Sequence, residues 1–333
     1  MSFHANAAYQ ALRMDYAKLC QAPLDCNFWQ TISSLTGRTI SLAVDSLKTH
    51  VPELSASLSG VAVCCTGSDS RLEKCGLGSP FECIVITPQK EIKPLQSNTV
   101  GKIVKMCFEG KPFFCPMVEQ KSLDCDLVSN CEVNQGPPKV IPTRAFDAYF
   151  LAGDEGLFRL YKHKVLDELS QRQVDLRMFR DDFLKASLQS LRQELTGSPR
   201  KAPLLTLDSG MVFYDKNGRR GLKHDALRAV QYSLADMIFK SVQEGRLGVG
   251  EVATIPQTVI GRLEWFRQKK MSPLSDQEYA LLKQHYTRVS YWYALLNAKA
   301  IEEPQDLTTM TLDPRELRPV LQETHDLCRK MRE

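Results

Sequence analysis

Apolar residues fall into two rhythms along this chain. From the start to about residue 57 they recur at helical spacing, with Ala7, Leu12, Met14, Tyr16 and Leu19 forming an imperfect stripe and a second helical pattern running from Phe28 to Leu47, ahead of Pro52. The rhythm then changes to short unbroken runs. Val61 to Cys65 reads as a buried strand that breaks at Thr66-Gly67-Ser68, where glycine and small polar residues permit a tight turn. Phe81 to Ile86 reads as a second strand, with Pro80, Glu82, Ile84 and Ile86 on one face and Phe81, Cys83 and Val85 on the other. Two further runs, Ile103 to Phe108 and Phe113 to Val118, are separated by Glu109-Gly110-Lys111-Pro112; the proline inside the second makes it an edge strand or a bulge. Residues 120–140 carry Gly136-Pro137-Pro138 and read as loop.

From Gly156 the helical rhythm returns. Leu157, Leu160, Tyr161, Val165, Leu166 and Leu169 form one stripe, and Phe179, Phe183, Leu184, Leu188 and Leu191 another. A break at Gly197-Ser198-Pro199 and a short strand-like run from Met211 to Tyr214 precede helices around Leu227 to Phe239, Val259 to Phe266 and Tyr279 to Leu296. These form a bundle with Trp265 and Trp292 as large core or interface residues, and Pro256, Pro273 and Pro304 sit near its breaks. The pattern predicts an α+β fold in three parts: an N-terminal helical segment (1–57), a small mixed-sheet domain (58–155) and a helical-bundle domain (156–333).

Composition narrows the functional classes. The 333 residues are 43% hydrophobic and 25% charged, as in soluble globular proteins, and no apolar run approaches the roughly 18 residues of a membrane span. The N-terminus lacks the basic start and apolar core of a signal peptide, so a cytoplasmic protein without a membrane partner is expected. The 11 cysteines include no C-x-x-C pair and several lie inside apolar runs, which favours free buried thiols over disulfides or zinc. A net charge of +4 without a basic block does not signal nucleic acid.

The readable chemistry sits between Cys64 and Ile86. Glu82 begins a strand whose next residues on the same face are apolar, so its charge needs a partner, a metal or water. Gly67-Ser68, Arg71, Glu73, Ser79 and Glu82 resemble, in register, the motif of the nucleotidyltransferase superfamily, specifically the nitrogen-regulator PII uridylyltransferases and the signal-transduction nucleotidyltransferases. That motif has a second acid two residues before Glu82, where this chain has Pro80. A second stretch, Asp147-Ala148-Tyr149-Phe150-Leu151-Ala152-Gly153-Asp154-Glu155, is similar to the branch's segment on a further strand, with Tyr149 in place of arginine. Asp154 and Glu155 also read simply as acids at a helix start. A third, from Lys216 to Asp225, matches at Lys216, Gly218, Gly221 and Leu222, with Lys223 for arginine and His224 for aspartate. By itself it is a basic turn that either binds phosphate or is solvated.

The resemblance implies transfer of a nucleotide from a nucleoside triphosphate to a protein or small-molecule acceptor. Glu82 and Asp147 would be the catalytic, metal-binding acids for Mg²⁺ or Mn²⁺, and Gly67, Ser68, Arg71, Ser79 and Lys216 would hold the nucleotide. With Pro80 removing one acid, Asp69 and Glu73 are the nearby substitutes, although Arg71 and Glu73 read equally well as a structural pair. The alternative is a catalytically decayed module of the same fold that senses nucleotides or binds a protein.

Overall fold

Runs of apolar residues become the middle of a sheet, and periodic ones become the helices around it. The computed structural model describes residues 3–21, 24–49, 60–76, 81–88, 116–123, 146–171, 226–302 and 314–333. The expected runs at 103–108, 179–191 and 211–214 lie outside these residues. The described elements divide into two units, one comprising residues 1–16 and 27–173, the other 17–26 and 174–333. Among the described residues no helix is long and apolar enough to cross a membrane.

The first unit contains helices α1 (Phe3–Ala17, whose last residue falls in the second unit), α2 (Phe28–Thr49), the one-turn α3 (Gly67–Ser70) and α4 (Glu155–Gln171). Its strands are β1 (Ala62–Cys65), β2 (Phe81–Thr87), β3 (Pro116–Ser122) and β4 (Tyr149–Gly153). They form one sheet in the order β3-β2-β1-β4. Strand β1 is antiparallel to β2 and to β4, pairing Cys65 with Cys83 on one side and with Tyr149 on the other; β3 runs parallel to β2. Pro116 opens β3 at the sheet's edge, where its missing N–H leaves no gap in a central ladder.

Both faces of β1 and β2 are covered, which is why these strands read as continuous apolar runs rather than as alternation. Helix α4 packs against β1, β2 and β4, and α2 against β4 and α3. Val63, Ile84, Val85 and Ile86 are at most 1% exposed, and each such side chain contributes about 1.5–3 kcal/mol of burial. In α1 the buried stripe is Tyr9, Leu12 and Tyr16, spaced three and four apart; Met14, expected in the stripe, is 57% exposed.

The last strand begins later than the sequence suggests. Phe146 and Asp147 form a helical turn and β4 starts at Tyr149, so Asp147 precedes the strand. Its carboxylate is drawn to Arg71, and that ion pair, rather than a ladder position, fixes the local chain. Asp154 then caps α4, its Oδ1 accepting a hydrogen bond from the Leu157 N–H at 3.0 Å.

The second unit is helical in its described part: a 3-10 turn (Lys18–Gln21), α5 (Arg228–Gln243), the short α6 (Val249–Val252), α7 (Val259–Lys269), α8 (Asp276–Glu302) and α9 (Pro314–Arg332). Local signals set the ends. Thr258 Oγ1 accepts from Gly261 N–H to start α7, and Ser275 with Glu278 forms a reciprocal capping box on α8. Pro256 and Pro273 fall in the connections before α7 and α8. Trp292 is buried under the Arg288 guanidinium, 4.9 Å from the ring centre, whereas Trp265 is half-buried beneath Lys269.

Glu278 ties the start of α8 to the end of α9, accepting two hydrogen bonds from Lys330 Nζ at 2.6 and 2.9 Å. The Lys330 ammonium, with help from Ser275, lowers the Glu278 carboxyl from 4.5 to about 2. A carboxylate depressed in the folded state stabilises it above the unfolded pKa and loses that contribution as pH falls through the folded one. Between pH 4.5 and about 2, Tm should therefore fall more steeply in the wild type than in Glu278→Gln. Melting curves for the two proteins across that range check this, and parallel profiles would remove Glu278 from the acid response.

Candidate functional site

At the end of β1 the chain turns sharply. Thr66 is extended, Gly67 takes φ +73°, and one helical turn follows. Glycine is needed there twice over: the backbone is left-handed, and an added Cβ would stand 3.2 Å from Glu82 Oε2. Glu82 leans onto this turn from β2, with Thr66 Oγ1 3.5 Å from its Oε2 and the Thr66 N–H bonded to its carbonyl at 2.9 Å. It is the one residue of β2 that is not fully buried. Thr66, Gly67 and Glu82 are thus brought together at the end of β1.

The turn closes with a Schellman motif. Leu72 N–H bonds Asp69 O and Glu73 N–H bonds Ser68 O, with Leu72 in the left-handed position that usually takes glycine. A branched residue there costs about 1–2 kcal/mol, and the turn is held in spite of it by what flanks it. Arg71 Nη1 donates to Asp147 Oδ2 at 2.6 Å, and Arg71 Nε stands 3.6 Å from Glu73 Oε2, all three side chains being less than a tenth exposed. Lys74, 1% exposed, donates from Nζ to Asp69 Oδ2 at 3.0 Å.

The N-terminal helices lock this loop from outside. The Lys74 N–H bonds Thr36 Oγ1 at 3.0 Å, and the Tyr16 hydroxyl donates to the Lys74 carbonyl at 3.1 Å and lies 3.4 Å from Thr39 Oγ1. Burial pushes the Tyr16 phenol well above its usual range, and the nearby Asp69 charge adds to the rise, so the hydroxyl stays a donor. The Lys74 ammonium also lies 5.9 Å from the centre of the Phe81 ring. None of this network was legible from the motif: Lys74 reads as an ordinary loop lysine, and only the clustering of threonines on α2 hints at a polar seam.

This geometry bears on the implied metal. Asp147 stands against a guanidinium, Asp69 against an ammonium and Glu73 beside Arg71, which leaves Glu82 as the acid facing the Gly67 turn. Among the described residues no three His, Cys, Asp or Glu side chains gather where they could hold a metal ion. A divalent cation beside Asp147 would also meet the charge of Arg71. The described donor set does not fit a two-carboxylate Mg²⁺ or Mn²⁺ site. Ser79, Pro80 and Lys216, with the rest of the basic turn to Asp225, lie outside the described residues.

The described cysteines offer no alternative centre. Cys64, Cys65, Cys75 and Cys83 are buried thiols outside any disulfide, and burial pushes the Cys64 thiol up to about 12 and the Cys65 thiol well up. No family model matches the chain, and no curated protein matches it either.

Proposed function

We propose that the α/β unit is a nucleotidyltransferase-like module that binds a nucleoside triphosphate as a sensor and does not transfer its nucleotide. The observation that carries this reading is the buried 2.6 Å pair between Arg71 and Asp147. In a metal-dependent transferase the second carboxylate must be open to the cation that bridges the triphosphate. Here it is neutralised by a side chain of the same turn. With Arg71 already engaged by Asp147 and Glu73, contacts to the triphosphate fall to the Gly67-Ser68 turn itself.

Purified protein titrated calorimetrically with nucleoside triphosphates, with Mg²⁺ and with chelator, tests this. Saturable binding that survives the chelator is expected, with no pyrophosphate release. Release of pyrophosphate that needs Mg²⁺ and disappears in Glu82→Ala would replace this proposal with transfer to a protein or small-molecule acceptor. The placement of Glu82 against Gly67 favours that second reading. Pro80→Asp, which restores the missing acid of the motif, should make binding metal-dependent, tightening it about tenfold in Mg²⁺, the equivalent of about 1.4 kcal/mol. Absence of binding under every condition would leave protein interaction as the role of the fold.

A further inference from the structure

The helical unit contains a cavity of about 270 Å³ where the last turns of α5, α7 and α9 converge. Its apolar lining includes Met237, Met271 and Met331, of which Met237 and Met331 are 5% and 2% exposed. Its charged lining is Lys240, Arg246, Lys270 and Arg332 against the side-chain carboxylates of Asp236 and Glu333. Four cations thus face two acids among the lining residues. Arg246 is paired with Glu244, and Arg332 donates to the Cys328 carbonyl. Among the described residues Lys240 and Lys270 have no ion pair.

Helix ends attract cations through the macrodipole, and that effect alone places basic residues in last turns. It does not explain the backbone at Lys270. Helices α5 and α7 both end in Schellman turns, with Gly245 N–H bonded to Val242 O and Arg246 N–H to Ser241 O in one, and Lys270 N–H bonded to Arg267 O and Met271 N–H to Phe266 O in the other. The left-handed position is Gly245, at φ +69°, in α5 but Lys270, at φ +52°, in α7. Glycine serves this position without strain, whereas Lys270 holds its side chain there at a conformational cost. Both Lys270 and the Met271 that follows line the cavity.

The geometry points to a binding site for a small phosphate monoester with an apolar or aromatic stem. A doubly charged phosphate matches Lys240 and Lys270, the two lining cations without an ion pair among the described residues, and polarisable methionine side chains adapt to an apolar body. The volume lies at the small end of ligand clefts, which run from roughly 300 Å³, so the occupant is a small molecule or the tip of a larger one. The site belongs to the helical unit and is independent of the nucleotide proposal for the α/β unit.

Phenyl phosphate and inorganic phosphate, titrated into the full chain at low salt, are the probes. Phenyl phosphate should bind saturably and more tightly than inorganic phosphate, and Lys240→Gln should weaken it about tenfold, as loss of one charge-assisted contact does. Lys270→Gly should weaken binding by a similar factor while raising Tm, because it relieves the left-handed strain. That opposite pair of changes separates loss of a ligand contact from loss of fold. Unchanged phenyl phosphate affinity in both variants, or no saturable binding by the wild type, would overturn the site and leave these lysines as helix-end charges. Equal affinities for the two probes would overturn the apolar half of the assignment.

Discussion

Asp69→Ala should unfold the α/β unit's turn region at a cost of about 3–5 kcal/mol, the range for removing one partner of a buried ion pair. The partner left behind is Lys74, whose ammonium is 1% exposed and whose backbone is bonded to Thr36 and Tyr16. It cannot swing into water without breaking the contacts that join the loop to α1 and α2. The cost is therefore the stranded charge more than the lost attraction. Replacing both members, Asp69→Leu with Lys74→Met, should restore most of the stability, because apolar residues of similar volume satisfy a buried site at least as well as an ion pair. Denaturant unfolding of the two proteins and the wild type measures this. A double variant no more stable than Asp69→Ala would mean that the pair is needed for its geometry.

Gly153→Ala should be comparably damaging for a steric reason. Gly153 ends β4 at φ +95°, opposite Ala62, and an added Cβ would stand 2.1 Å from the Val61 carbonyl oxygen. That atom is backbone immediately before the central strand β1 and cannot move aside. Strain of roughly 1–3 kcal/mol for the conformation adds to crowding of about 1–3 kcal/mol. The β1–β4 register already shifts between Val63 and Cys64, so the pairing has no regular ladder in which to absorb more. A loss of under 1 kcal/mol in chemical denaturation would show that β4 separates from β1 freely.

Strands β1 and β2 were legible because four or five apolar residues in a row, near turn residues, have few other uses. Glu82 was legible because it alone interrupts such a run. Where Asp147 goes was not: its partner lies 76 positions away, and nothing local distinguishes an acid on a strand from one held just before it by arginine. Periodicity from Leu157 to Leu166 announces α4 but does not say that it covers a sheet. The pairing of Arg71 with Glu73 was open to inspection, since both sit in one turn, whereas Lys74 is buried only because Tyr16, Thr36 and Asp69 converge on it. The cavity of the helical unit was invisible for the same reason: its lysines belong to different helices, and each alone reads as a last-turn cation.

The buried thiols give the molecule a kinetic property. Cys64 in the sheet and Cys328 in α9 are both pushed up to about 12 by burial, so at neutral pH almost none of either is thiolate while the chain is closed. Electrophiles reach them only during an opening event, at a rate set by how often that part of the chain breathes. One thiol lies in each unit, so the chain carries two internal clocks. Exposed Cys26 reacts without waiting for either. Oxidative or alkylating damage at Cys64 and Cys328 is therefore paced, unit by unit, by unfolding rather than by the reagent.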